Sequence, residues 1–269
     1  MSKDSFDLTG RVAFITGGAS GLGLATAEAF CARGASVAIG SRDEEKIEAA
    51  TSDLRERAGD RVEGVPIDVT DDAKVALAID ATVQRFGRID VLVNSAGYTV
   101  RKPAFEMTGD DFNRMYDTHL TGSFRCAKCA ARVMADGDGG SIINVASVSS
   151  VVDVIEVAPY AAAKSAVMAL TRSLANEWAR HRVRVNALIA GFVPTDLNRH
   201  LIVGTDRGRR VLEHTPMARF GEAREVASAA VFLASEASSF VTGHGLAVDG
   251  GFSSCGVGDS VAPWVGEAP

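Results

Sequence analysis

Cysteine is scarce. Cys31, Cys126, Cys129 and Cys255 are the only four in 269 residues, too few for a disulfide scaffold of this size. Cys126 and Cys129 form a C-x-x-C, but no second pair stands at zinc-site spacing and His119 lies on the wrong side for a finger. No strand precedes the pair as a redox motif requires. Two small residues packing one helical face account for it, and no metal site is expected. Long apolar runs are also missing. None approaches the ~20 residues of a membrane-spanning helix, and Met1-Ser2-Lys3-Asp4-Ser5-Phe6-Asp7 lacks the apolar segment of a secretory signal. Basic clusters are absent too. Lys and Arg are spread thinly under a net charge of −6, so neither nucleic acid nor membrane is an expected partner. A reduced, cytoplasmic protein is the expectation.

What is present is an ordinary globular composition, 46% hydrophobic and 23% charged, which excludes collagen-like, disordered and coiled-coil chains. Short apolar runs at 11–16, 36–40, 61–67, 89–94, 141–146, 183–189 and 245–248 alternate with amphipathic stretches. Those stretches, at 22–33, 43–58, 71–86, 110–134, 159–181 and 222–234, have helical spacing. Strands separated by helices imply right-handed crossovers and a parallel sheet covered on both faces. The expectation is an α/β protein, a single-domain doubly wound Rossmann fold with about seven strands. No linker or repeat divides it. The stretch 191–221 reads as an irregular substrate loop. The tail 252–269 reads as wrapping the surface or a neighbour, with Trp264 as its apolar contact.

The first strand ends in T-G-G-A-S-G-L-G, residues 16–23. A sharp turn, close approach of a pyrophosphate to backbone, and tight helix–sheet packing all ask for glycine there. The spacing is G-x-x-x-G-x-G, and no Lys follows as phosphate hydrolysis would need. A dinucleotide is the ligand expected at Gly17, Ser20, Gly21, Leu22 and Gly23. About 20 residues on, an acidic side chain would take a ribose hydroxyl and repel a 2′-phosphate. Ser41 and Arg42 stand there instead, and a hydroxyl with a guanidinium suits a phosphate. NADP(H) is therefore favoured. A register slipped to Asp43 would favour NAD(H).

Tyr160 and Lys164 are four residues apart, on one face of a helix. An ammonium beside a phenol favours phenolate, so Tyr160 is a candidate proton donor and acceptor. Ser147, at the end of the fifth strand, is placed to bind the same substrate oxygen.

Together these motifs resemble the short-chain dehydrogenase/reductase family, from residue 8 to residue 252. The further matches are Asp68-Val69, Asn94-Ser95-Ala96-Gly97, Gly191 with Pro194-Thr195, and Val248-Asp249-Gly250-Gly251. The resemblance implies hydride transfer between a nicotinamide and a ketone or secondary alcohol. Tyr160 would be general acid/base, and Lys164 would hold the nicotinamide ribose and lower the tyrosine's pKa. Ser147 would orient the carbonyl. Asp68 and Val69 would flank the adenine. Asn94 would brace the sheet, with Ala96 and Gly97 beside it along the cofactor. Gly191, Val193 and Thr195 would border the nicotinamide, Thr195 at its carboxamide. A homotetramer is also implied.

The sequence departs from the family at two positions. His119 replaces an Asn that holds a water linking the catalytic Lys to solvent, so the proton relay must differ if His119 takes part. Ala190 replaces a proline. The substrate is a small molecule, its pocket expected at the strands' carboxyl ends with walls at 98–102, 148–157 and 192–217. Val148, Phe192 and Arg101 are the expected contacts, and Arg101 suits a carboxylate. That region resembles members acting on sugar acids such as gluconate, which leaves an NAD-dependent sugar-acid dehydrogenase open. A non-catalytic nucleotide-binding member of the fold is the other alternative.

Overall fold

Seven apolar runs become seven strands in the computed structural model, which describes residues 4–196 and 198–255. They are β1 Val12–Thr16, β2 Ser36–Ser41, β3 Val62–Pro66, β4 Val91–Asn94, β5 Gly140–Ser147, β6 Val183–Ala190 and β7 Gly245–Val248. All pair in parallel in the order β3-β2-β1-β4-β5-β6-β7. The order reverses between β1 and β4, and such a switch opens a crevice at the strands' carboxyl ends.

The helices are α1 Gly21–Ala32, α2 Glu44–Ala58, α3 Asp72–Phe86, α4 Gly109–Tyr116 and α5 Gly122–Asp136. They continue with α6 Ala158–Trp178, α7 Arg199–Ile202, α8 Asp206–His214 and α9 Ala223–Ala234. β1 shows why both faces are covered. Successive strand side chains point to opposite faces. Ala13 and Ile15 join one core with Phe30 of α1, Leu54 of α2 and Ala230 of α9. Phe14 joins the other with Ile79 of α3, Ala130 of α5 and Leu174 of α6. Cys126 is buried in that second core, as the packing reading of the C-x-x-C requires, and burial pushes its thiol up to about 12. Asp43 and Asp71 cap α2 and α3, accepting from backbone amides two or three residues on. Gly87, at φ +82°, ends α3.

Two expectations need correction. The stretch 110–134 is not one α-helix. A π-helical turn, Asp117–Thr121, separates α4 from α5 and carries His119. A single wide turn leaves the apolar spacing on either side nearly unchanged, so periodicity does not register it. The stretch 191–221 is not wholly irregular, because it contains α7 and α8. Thr205 caps α8, accepting from the Gly208 amide at 3.0 Å. The expectation for Trp264 and the tail beyond residue 255 lies outside the described residues. No helix among the described residues is long and apolar enough to cross a membrane.

Candidate active site

The glycine turn is built by close contact. Gly17 has φ +66°, and a Cβ there would lie 2.9 Å from Ala96 N and Ser95 O. Thr16 ties the turn to the end of β4: its Oγ1 accepts from the Ser95 and Ala96 amides at 3.1 and 3.2 Å. Helix α1 then starts without a side-chain cap from Ser20 and without an acidic residue in its first turn. Its free amides and positive dipole end meet a cavity of about 300 Å³ bordered by Gly17, Ser20, Gly21 and Leu22. An uncapped helix start beside glycine backbone fits a pyrophosphate.

The same cavity brings together Ser147, Tyr160 and Lys164. Ser147 ends β5. Its Oγ lies 2.8 Å from Ser149 Oγ and accepts from the Ser149 amide at 3.2 Å. Tyr160 and Lys164 share one face of α6, with Nζ 5.7 Å from the phenol ring centre. Lys164 is buried and donates to Val145 O at 2.5 Å. Burial lowers its ammonium to about 8. Burial also raises the Tyr160 phenol above its ordinary value, while a hydrogen bond with Ser147 acts the other way. Burial is the larger of these two effects, and the phenol is protonated at neutral pH.

His119 projects from the π turn into the cavity and is 2% exposed. Its Nε2 lies 2.7 Å from Tyr98 O. A carbonyl only accepts, so Nε2 carries the proton and Nδ1 keeps a bare lone pair. The ring stands edge-on to Tyr160, 5.2 Å between centres. Gly97 lets it in, since a Cβ at that position would lie 2.2 Å from His119 Cε1. Burial, then the Lys164 charge, depress the imidazolium to about 3, against a smaller upward effect of the Tyr98 carbonyl. The ring is neutral at working pH. The unfolded chain protonates His119 below about 6.5, whereas the folded chain resists until about 3. Folding stability is therefore lost on acidification through that window, at roughly 1.4 kcal/mol per pH unit. Urea unfolding of wild type and His119→Asn from pH 7 to pH 4 checks this. The stability difference should move in the variant's favour as pH falls. A difference independent of pH would refute the assignment.

Comparison with known proteins gives the family. A family model described as enoyl-(acyl carrier protein) reductase matches residues 17–253. The chain is 36% identical to the 2-dehydro-3-deoxy-D-gluconate 5-dehydrogenase of Dickeya dadantii, covering 94% of this chain and 99% of the relative. It is 38% identical to the D-threitol dehydrogenase of Mycolicibacterium smegmatis, covering 92% and 95%. A solved gluconate 5-dehydrogenase of Burkholderia cenocepacia, in complex with NADP and tartrate, is 39% identical. It superposes with a TM-score of 0.88 over 93% of this chain and 98% of its own. The chain belongs to the short-chain dehydrogenase/reductase family. It is an oxidoreductase acting on CH–OH and C=O groups.

The other residues singled out on family grounds fall into two groups. Val148, Phe192, Val193, Gly191, Thr195 and Gly97 border the cavity. Gly23, Ser41, Arg42, Asp68, Val69, Asn94, Ala96 and Arg101 do not. Gly23 lies beneath the turn. Asn94 donates to Asn144 Oδ1 at 2.9 Å and Ser123 O at 3.2 Å, joining β4 to β5 and α5. Val69 packs against Gly122. Asp68 accepts from the Thr70 amide and hydroxyl at 3.0 and 2.7 Å. Arg101 is paired with Glu156 at 2.5 Å, and Lys102 with Asp111 at 2.6 Å. Tyr98, Thr99, Ser149, Val154 and Asn198 also border the cavity; they fall within the stretches expected as pocket walls, 98–102, 148–157 and 192–217, although none was singled out by itself. Asn198 had a signal: three residues after Thr195, its Oδ1 accepts from the Thr195 amide at 2.8 Å. The others lie on connections whose course only the folded chain defines.

Proposed function

We propose that this oxidoreductase is NADP(H)-dependent and interconverts a ketone and a secondary alcohol with Tyr160 as general acid/base. The observation that carries this is the convergence of Ser147, Tyr160 and Lys164 on one cavity with the uncapped start of α1. A bound nicotinamide supplies the hydride. In reduction, the protonated Tyr160 gives its proton to the carbonyl oxygen and Ser147 hydrogen bonds the same oxygen. The Lys164 ammonium stabilises the phenolate that remains. The convergence also speaks against a non-catalytic member of the fold. Following NADPH and NADH oxidation against a panel of ketones and keto sugar acids tests the reading; no turnover with either cofactor would overturn it.

The cofactor preference rests on Ser41 and Arg42. Asp43, the residue that would favour NAD(H), is engaged elsewhere: it accepts from the Lys46 amide at 3.1 Å and pairs with Lys46 Nζ at 2.9 Å. Arg42 is exposed; burial pushes the Asp68 carboxyl up, but the Thr70 hydrogen bonds and, after them, the Arg42 charge hold it below its ordinary value. Arg42→Ala should weaken NADPH binding by ~1.5 kcal/mol, about tenfold, and leave NADH nearly unchanged. Equal losses in fluorescence titrations with the two cofactors would refute the assignment.

Relatives named for gluconates and for threitol, and the tartrate in the Burkholderia cenocepacia structure, support a polyhydroxylated substrate. A sugar-acid dehydrogenase using NAD(H) is the second reading. The substrate meets Val148 and Phe192, and Arg101 is the candidate for a carboxylate once released from Glu156. We also infer a cytoplasmic homotetramer with two-fold symmetry, built on α4, α5, α6 and β7. Phe112 of α4 and Phe124 of α5 are partly exposed, and Phe240 before β7 fully so. Association would remove that apolar surface from water.

A further inference from the structure

Two polar side-chain atoms on the cavity wall are buried, and among the described residues neither has a hydrogen-bond partner. They are His119 Nδ1 and Thr99 Oγ1. Buried polar groups left unpaired are rare, and each asks for an explanation. The two come from different elements, the π turn and the loop after β4. They border the same cavity as Ser147 and Tyr160. Neither takes part in the proton transfer assigned to Tyr160.

Their chemistry is complementary. Nε2 of His119 is committed as a donor to Tyr98 O, so Nδ1 can only accept. It therefore requires an O–H or N–H and is useless to a carbonyl. Thr99 Oγ1 can both donate and accept. A hydroxyl oxygen that reached both would donate its hydrogen to Nδ1 and accept from Thr99. Gly97 fixes the imidazole, because its bare Cα admits the ring and the Tyr98 carbonyl holds it. The acceptor is thus preset before any ligand arrives.

We infer that His119 and Thr99 form a hydroxyl-recognition subsite, selecting substrates with a second hydroxyl on the carbon next to the one oxidised or reduced. This rests on the oxidoreductase reading above and narrows its substrate class to vicinal diols and α-hydroxy ketones. A site made to hydrogen bond a substrate hydroxyl rejects the analogue lacking it more strongly than an apolar pocket rejects a missing methylene. The rejection is strong because binding that analogue strands the site's own polar groups.

Acetoin and butan-2-one share a four-carbon skeleton and differ only in that second hydroxyl. Each is scored by kcat/KM with NADPH, or by its inhibition constant against a panel substrate if it is not turned over. The wild type should favour acetoin at least tenfold. Thr99→Val and His119→Leu should each cut that ratio severalfold, and Thr99→Ser, which keeps the hydroxyl, should preserve it. The ratio is internal to each protein, so a general loss of activity does not mimic the effect. A wild-type ratio near one would mean that water satisfies both atoms, and would overturn the subsite while leaving the oxidoreductase reading intact. A ratio unchanged in both Thr99→Val and His119→Leu would do the same. Absence of turnover across the whole panel with either cofactor would remove the parent reading and this inference together.

Discussion

Tyr160→Phe should reduce turnover about a thousandfold and leave NADPH binding within a few-fold of wild type. The substitution keeps the ring, its place on α6 and its edge contact with His119, and removes only the ionisable oxygen. General acid/base groups contribute about 10²- to 10⁴-fold, and here no neighbour can stand in. Ser147 is a hydroxyl of far higher pKa already engaged with Ser149. The His119 ring is neutral and its one proton points to Tyr98. Lys164 donates to the backbone of β5. The pH profile of the wild type carries the complementary information. With the phenol raised by burial, Tyr160 stays protonated through the neutral range. The Lys164 ammonium, lowered to about 8 by burial, loses its charge as pH rises past that value. Reductive turnover should therefore decline above about pH 8, because the developing phenolate then lacks its cation. Near-native turnover by Tyr160→Phe would show that the proton comes from elsewhere. A flat profile from pH 7 to pH 10 would separate Lys164 from the chemistry.

Most of the scaffold was legible because its signals are local and redundant. Ala13, Phe14 and Ile15 alternate between two cores, so an unbroken apolar run already announced a strand covered on both faces. Asp43 and Asp71 opened the stretches 43–58 and 71–86 read as helices, and both cap the helices that form there. The shared face of Tyr160 and Lys164 was legible for a different reason: their i, i+4 spacing on α6 fixes it without reference to anything distant. What was not legible depends on contacts between segments far apart in sequence. The π turn at His119 left no mark in the apolar spacing of 110–134. Desolvation of Tyr160 and Lys164 comes from the walls around them, and no spacing in the sequence reports it. Arg101 read as an available cation, but Glu156, 55 residues on, pairs with it. Thr99 lay within the expected wall 98–102, but nothing set it apart from its neighbours there until its hydroxyl was found buried in the cavity.

Gly23→Ala should cost the protein about 1–3 kcal/mol of stability and weaken cofactor binding by roughly a hundredfold. The added Cβ would lie 2.2 Å from Gly17 O and 2.8 Å from Gly17 C. Both are backbone atoms, so no side-chain rotation relieves the overlap. The turn cannot retreat either. Gly17 is wedged on its other side against Ser95 and Ala96, and Thr16 Oγ1 holds both of their amides. Helix α1 must therefore move outward, taking the amides at its start away from the cavity. Placement errors near 1 Å at a binding or reacting centre cost on the order of 10²-fold. The control is Gly109→Ala at the start of α4. A Cβ there meets nothing within 4 Å and φ is not positive, so stability should change by no more than a few tenths of a kcal/mol, in the favourable direction. Thermal melting and NADPH fluorescence titration of the two variants decide the matter. If Gly23→Ala melts and binds like Gly109→Ala, the turn is not the rigid cradle that the contacts at Gly17 describe. The ligand's phosphates must then be held elsewhere.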